Sequence, residues 1–143
     1  MNIEIKMEGS EALQKKLAEY AKKSPEKARK AVNYTLYDIQ GEAKSIVHKK
    51  TSTLASHIEV EMDSTKAEGV CGTNIKYAPG LEYGTAPHEI RPVTKKALYW
   101  KGAEHPVKVV HHPGNPPYPF LRPAYLSKIG NLIKYLKEEF GEI

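Results

Sequence analysis

With 143 residues and 40% apolar content, the chain can build one modest hydrophobic core but not two. The net charge of +5 is unevenly distributed: residues 1–50 carry 11 Lys and Arg against 7 Asp and Glu, residues 51–90 carry 2 against 6, and residues 91–143 carry 9 against 4. The acidic block in the middle of the chain argues against a surface that binds nucleic-acid phosphates. The single cysteine, Cys71, excludes an internal disulfide. The sequence has no long apolar run, so we expect no signal peptide and no membrane-spanning helix.

The first predicted elements are a short strand and a helix. Residues 2–7 alternate apolar and polar side chains, which indicates a half-buried strand. Ser10 can cap a helix, and leucines at helical spacing extend that helix to about Lys23.

The next element is the longest predicted helix, from Pro25 to about Lys49. Ser24 can accept a hydrogen bond from a free backbone N–H, and proline suits the first helical turn. Gly41 inside the helix costs about 1 kcal/mol relative to alanine and is expected to permit close packing. One face of the helix carries its apolar side chains: Ala28, Val32, Thr35, Leu36, Ile39, Ala43, Ile46 and Val47.

Residues 56–85 are predicted to form an antiparallel meander of three strands. Residues 57–62 alternate, residues 63–65 are typical of a turn, and residues 67–73 form a return strand. Residues 75–83 supply a third strand, in which Pro79-Gly80 requires a bulge, an edge position or a break.

Residues 86–118, called the arm below, are rich in proline, so regular structure cannot dominate there. Short extended pieces are expected at 97–100 and 107–111, and the interleaved aromatic residues argue against plain disorder. A final helix is predicted to begin at Pro123. The sequence therefore predicts one α+β domain, residues 1–143, in which the meander and the N-terminal strand form a sheet. The long helix and the C-terminal helix pack against this sheet, and the arm is inserted before the C-terminal helix.

The sequence offers candidates for three kinds of function: metal-dependent hydrolysis, catalysis by a cysteine, and nucleic-acid binding. A metal-dependent hydrolase could use the histidines of the arm, but they lack the spacing of a zinc site, and His112 with Pro113-Gly114 is better explained as a turn. Cys71 lies in the middle of a predicted strand, where a small buried side chain is common. Five basic residues could hold nucleic-acid phosphates but are better explained as the solvated side of two helices: Lys22, Lys23, Lys27, Arg29 and Lys30. Tyr99, Trp100 and Tyr118 could stack on bases, but they lie among prolines without a basic stripe. We expect no cofactor and no catalytic residue.

Five segments in a fixed order resemble the HK97-type tail-component family of tailed bacteriophages. They are Tyr77-Ala78 with Glu82-Tyr83-Gly84-Thr85, His88 to Pro92, Lys96 to Trp100, Val110 to Gly114, and Pro119 to Ala124. The resemblance covers nearly the whole chain and is strongest from 77 to 125. It departs from the family pattern at residues 51–53 and 115–118, which alter loop shape.

The resemblance implies a structural protein without enzyme activity that works as a ring in the virion, at the neck or tail completion site. It implies partners among tail and head–tail connector proteins, further copies of the chain, and possible contact with DNA in the channel. Assembly would take place in the host cytoplasm. Aromatic residues and arginine tend to anchor interfaces, which predicts contacts through Arg91, Tyr99, Trp100, Tyr118, Phe120 and Arg122. Phe120 and Leu121 are alternatively core residues that dock the last helix.

Overall fold

The computed structural model describes residues 11–47 and 52–141, and the predicted strand at 2–7 lies outside them. The described chain is a mixture of helices and two small antiparallel sheets, which confirms the α+β class. In chain order, its elements are α1 (Glu11–Lys23), α2 (Pro25–Ile46), α3 (Ser52–Ser56), β1 (Glu59–Met62), β2 (Gly69–Gly72), α4 (Ala78–Tyr83), β3 (His88–Ile90), β4 (Val110–His112), α5 (Leu121–Lys128) and α6 (Asn131–Phe140).

Helix α2 is the central element, and α1, α5, α6 and the β1–β2 hairpin all pack against it. Its buried side chains follow the predicted apolar stripe: Ala28, Ala31, Val32, Thr35, Ile39 and Ala43. Pro25 occupies the first turn as expected, but the Ser24 side chain makes no capping hydrogen bond. The Ser24 carbonyl accepts the Ala28 N–H at 3.1 Å, so backbone hydrogen bonding and Pro25, without a side-chain cap, define the start of the helix.

The apolar core has two parts, one at each half of α2. The N-terminal half packs with Tyr20 of α1 and with Leu132 and Leu136 of α6. The C-terminal half packs with α3, β2 and the start of α5, where Phe120 and Leu121 are fully buried. The partly buried Leu36 contacts both parts and joins them along the helix.

The predicted meander is wrong in its third strand. β1 and β2 form an antiparallel hairpin with Val60 opposite Cys71 and Glu61 opposite Val70, but the third stretch folds as the helix α4. Pro79 explains the difference, because proline has no N–H to give to a sheet and fits the first turn of a helix. The second sheet pairs β3 with β4, and β3 was not predicted as a strand.

The single predicted C-terminal helix is also wrong, because it is divided into α5 and α6. The division falls at Ile129 and Gly130, and glycine is a poor residue for the interior of a helix. Helix α5 begins at Leu121, two residues before the expected Pro123. Helix α6 is held on α2 by Asp38, whose carboxylate accepts hydrogen bonds at 2.7 Å from both Asn131 and Tyr135.

Gly41 does not serve the close packing that the sequence suggested. Apart from its chain neighbours and the backbone of α2 itself, a Cβ built at this position meets no atom of the described residues within 4 Å, and Gly41 is exposed. We therefore expect Gly41→Ala to raise the free energy of unfolding by about 1 kcal/mol, because alanine is the better helix former. Urea denaturation followed by circular dichroism measures the change, and a less stable variant would show that Gly41 has a neighbour outside the described residues.

Candidate assembly interface

The arm leaves the body of the protein through a narrow base. Thr85 and Asn115 form an isolated antiparallel pair, in which Thr85 N–H donates to Asn115 O at 3.0 Å and Asn115 N–H donates to Thr85 O at 3.1 Å. Beside this pair, Tyr118 N–H donates to Leu81 O at 2.7 Å. The two ends of the arm are therefore joined to each other and to helix α4 by backbone hydrogen bonds.

Two glycines make this narrow base possible. Gly84 has φ +77° and Gly114 has φ +83°, in the left-handed region that favours glycine. A Cβ at Gly114 would collide with the carbonyl oxygen of Thr85, and a Cβ at Gly84 would lie 2.8 Å from the carbonyl oxygen of Asn115. Each glycine is thus required both by its backbone angle and by the chain that faces it.

A buried carboxylate ties the end of the arm to the start of α5. Glu82 is 3% exposed, and its Oε2 accepts the backbone N–H of Phe120 at 2.8 Å and of Leu121 at 3.0 Å. Its Oε1 accepts the N–H of Arg122 at 2.9 Å. A negative charge at a helix N-terminus is favourable, because the first N–H groups have no partner within the helix. Glu82 therefore serves as the cap of a helix 38 residues further along the chain.

The β3–β4 hairpin contains three of the four histidines of the arm, and their contacts are structural. His88 and His112 lie opposite each other, with their rings stacked at 5.0 Å. Gly114 N–H donates to Nδ1 of His112 at 3.0 Å, which confirms the turn interpretation. His111 lies 3.4 Å from Glu89, and His105 is exposed. Among the described residues, no three His, Cys, Asp or Glu side chains are close enough together to hold a metal ion.

Cys71 is buried as predicted, in the lining of a cavity of about 1010 Å³ between α1, α2 and β2. Burial raises the pKa of the Cys71 thiol to about 11. Since the thiolate is the nucleophilic form, this thiol is protonated at neutral pH and has the character of a packing residue. The cavity walls are mainly apolar, with Leu17, Leu36 and Met62 among them.

The outer part of the arm presents apolar side chains to solvent. Leu98 and Val107 hold this part together through two backbone hydrogen bonds, of 2.7 and 3.0 Å. Tyr99 and Trp100, in the loop that this pair closes, are 69% and 50% exposed. Val93, between β3 and the pair, is 97% exposed. The structure therefore brings two of the predicted interface residues, Tyr99 and Trp100, to an exposed position away from the base.

The other predicted interface residues lie elsewhere. Arg91 is exposed next to the β3–β4 hairpin and makes an ion pair of 2.8 Å with Glu89. Tyr118 lies at the base of the arm, and the guanidinium of Arg122 stands 5.9 Å from the ring centroid of Tyr83. Phe120 is fully buried, and its burial supports the core interpretation that the sequence left open.

Glu82 is the functional residue that the sequence interpretation missed, although it lies inside the recognised Glu-Tyr-Gly-Thr segment. One signal could have revealed it. Helix α5 begins after Phe120, which cannot cap a helix with its side chain, so the free N–H groups need an acceptor from elsewhere in the chain. A glutamate beside the other end of the arm meets that need.

A family model described as "Bacteriophage HK97-gp10, putative tail-component" matches residues 11–84. The match runs from α1 to the end of α4, covers 74 of the 143 residues, and ends before the arm. No curated protein matches the chain, and no solved structure does. None of the helices in the described residues is long and apolar enough to cross a membrane. Because the family model covers more than half of its length, the chain belongs to the HK97-gp10 family of bacteriophage tail components.

Proposed function

We propose that this tail component is a structural subunit that forms a ring at the head–tail junction or the tail completion site. In this proposal residues 1–143 act as one domain, and the arm reaches a neighbouring subunit, connector protein or tail protein. One observation carries the proposal: the arm is fixed at its base by Glu82, Thr85 and Asn115, yet it exposes Tyr99 and Trp100 at its far part.

This combination favours a protein contact. Large aromatic side chains anchor interfaces because they bury much apolar area with few rotatable bonds. A fixed base lowers the entropy that the arm loses on binding, which strengthens the contact. The interface we propose consists of Tyr99 and Trp100 at its centre, Arg91 at its side, and Tyr118 and Arg122 near the base.

The polar groups in the arm and at its base support a structural role. Glu82 caps α5, His112 closes a turn, and Glu89 lies between Arg91 and His111. Each of these groups is occupied by a contact that shapes the arm. The family of phage tail components likewise suggests a protein of the virion that performs no reaction.

We expect Trp100→Ala to weaken assembly about 30-fold, corresponding to about 2 kcal/mol, while the protein stays folded. The measurements are sedimentation velocity for self-association and particle yield in a phage carrying the variant. Tyr37→Ala is the matched control, because Tyr37 is 53% exposed and lies on α2, outside residues 86–118. Equal effects of the two substitutions, or a large drop in melting temperature for Trp100→Ala, would contradict the proposal.

A second candidate function is contact with DNA in the channel of the neck. The observation that favours it is the exposure of Lys95, Lys96 and Lys101 on the arm, since lysine side chains bind the phosphates of the DNA backbone. Binding of this kind weakens steeply with salt, because phosphate contacts release counterions. A DNA mobility shift at low salt that disappears at higher salt would support it, and no shift at low salt would remove it.

A further inference from the structure

In the described part of the chain, one face of the β1–β2 hairpin has exposed side chains, and its Glu61, Glu68 and Val70 also border the cavity beside α1 and α2. Residues that lie opposite each other in an antiparallel pair point to the same side, so Glu61 shares a face with Val70, and Glu59 lies on that face as well. The pairing continues through the hydrogen bond from Asp63 N–H to Glu68 O, which adds Glu68. The opposite face, with Val60 and Cys71, packs toward the core.

We call this exposed side the outer face: Glu59, Glu61, Glu68 and Val70. All four residues are exposed, and Val70 presents 41% of its surface. Within residues 11–47 and 52–141, no ion pair neutralises any of the three glutamates. Residues 59–68 hold four acidic residues and one lysine, a net charge of −3. The outer face is therefore an unpaired acidic surface with an apolar centre.

The arm carries the opposite charge. Residues 86–118 hold five Lys and Arg against two Glu, a net charge of +3. Lys95, Lys96 and Lys101 are exposed on both sides of the apolar Tyr99 and Trp100 in sequence. Among the described residues, the ion pairs of the arm join residues within the arm, and none connects it to the β1–β2 hairpin. The two surfaces thus complement each other in charge, and no ion pair joins them in the described part of one chain.

We infer that the arm of one copy docks on the outer face of the next copy. This inference rests on the proposed function. The lysines of the arm would lie against the glutamates of the hairpin, with Trp100 against Val70. Charge complementarity selects the partner and orients it. Because the two surfaces are different, each copy gives one and receives the other, and such a head-to-tail contact generates a ring when the rotation closes.

The first test is zero-length cross-linking with a carbodiimide, which joins a lysine to a carboxylate that it touches. Mixing isotope-labelled and unlabelled protein at high concentration separates links between copies from links within one copy. We expect mixed-isotope peptides that connect Lys95, Lys96 or Lys101 with Glu59, Glu61 or Glu68. Links between copies at other positions, or no links between copies, would overturn the inference.

The second test is a charge exchange. We expect the double variants Glu59→Lys/Glu61→Lys and Lys95→Glu/Lys96→Glu each to weaken self-association at least about tenfold in sedimentation velocity. A mixture of the two variants should associate again, because the Glu-bearing arm of one faces the Lys-bearing hairpin of the other. All four side chains are exposed, so melting temperatures should stay near that of the wild type. Failure of the mixture to associate would contradict the contact.

These results separate the inference from the proposed function. If Trp100→Ala weakens assembly but neither charge variant does, the arm is an assembly element with a different docking surface. If the protein does not self-associate but its arm binds another tail protein, a second copy is not the partner and the inference is wrong. If Trp100→Ala and the charge variants all leave assembly intact, both are wrong.

Discussion

Replacing Glu82 by glutamine is expected to lower the free energy of unfolding by about 2 kcal/mol, and replacing it by alanine by about 4 kcal/mol. Glutamine keeps the volume and one acceptor oxygen, but its NH₂ group faces one of the three N–H groups that the carboxylate now accepts. The loss of the charge also weakens the remaining bonds. Alanine leaves the N–H groups of Phe120, Leu121 and Arg122 without their acceptor, and each buried unpaired group costs about 1–3 kcal/mol.

Urea denaturation measures the stability of both variants, and hydrogen exchange measures the local effect. We expect faster exchange at residues 118–122, because the base of the arm loses its link to α5. Glu89→Gln is the control, since Glu89 also belongs to the arm region but its side chain is 46% exposed, and we expect a change of less than about 0.5 kcal/mol. A Glu82→Gln protein as stable as the control would show that the carboxylate is not what holds α5.

Replacing Gly114 by alanine is expected to destabilise the protein by about 4 kcal/mol. A left-handed backbone at a residue other than glycine costs about 1–2 kcal/mol. The added Cβ also collides with the carbonyl oxygen of Thr85, and relief of that overlap requires the Thr85–Asn115 pair to open. The base of the arm should therefore lose its hydrogen bonds together with part of its stability.

Gly102 provides a matched control for this prediction. It lies on the same arm with φ +103°, but a Cβ built there meets no atom of the described residues within 4 Å other than its chain neighbours. Gly102→Ala thus measures the backbone strain alone, with an expected loss of about 1–2 kcal/mol. The difference between the two variants in urea denaturation gives the contribution of the close approach, and equal losses would show that the contact between Gly114 and Thr85 is not tight.

The sequence predicted best where the pattern of a single element decides its structure. Helix α2 was predicted from its apolar spacing and from Pro25, and the β1–β2 hairpin from its alternation around the turn at Asp63. The Asp63 carboxylate accepts the N–H groups of Thr65 and Lys66, which lowers the pKa of Asp63 and fixes that turn. Such local interactions are readable from neighbouring residues.

The sequence predicted less where a structure depends on a residue distant in the chain, or where a single residue decides between a helix and a strand or interrupts a helix. Residues 75–83 look like a strand by composition, but Pro79 favours the first turn of a helix over a place in a sheet. Gly130 similarly divides a helix whose apolar pattern runs on without interruption. The role of Glu82 depends on N–H groups 38 to 40 residues away, so the residues around Glu82 do not reveal it and the only signal is the missing cap at Phe120. Of the candidate interface, Tyr99 and Trp100 are exposed and their role stays a prediction, whereas Phe120 is buried because it lies at the start of α5.

The cap that Glu82 supplies to α5 also has a mechanical consequence. A force applied at Trp100 passes down the arm to the Thr85–Asn115 pair, and from there through α4 and Glu82 to the first turn of α5. Because α5 packs on α2, this force reaches α2 through hydrogen-bonded and packed segments. The arm is thereby rigidly attached to the core of the protein. In the proposed assembly, tension between neighbouring subunits would be shared by their cores.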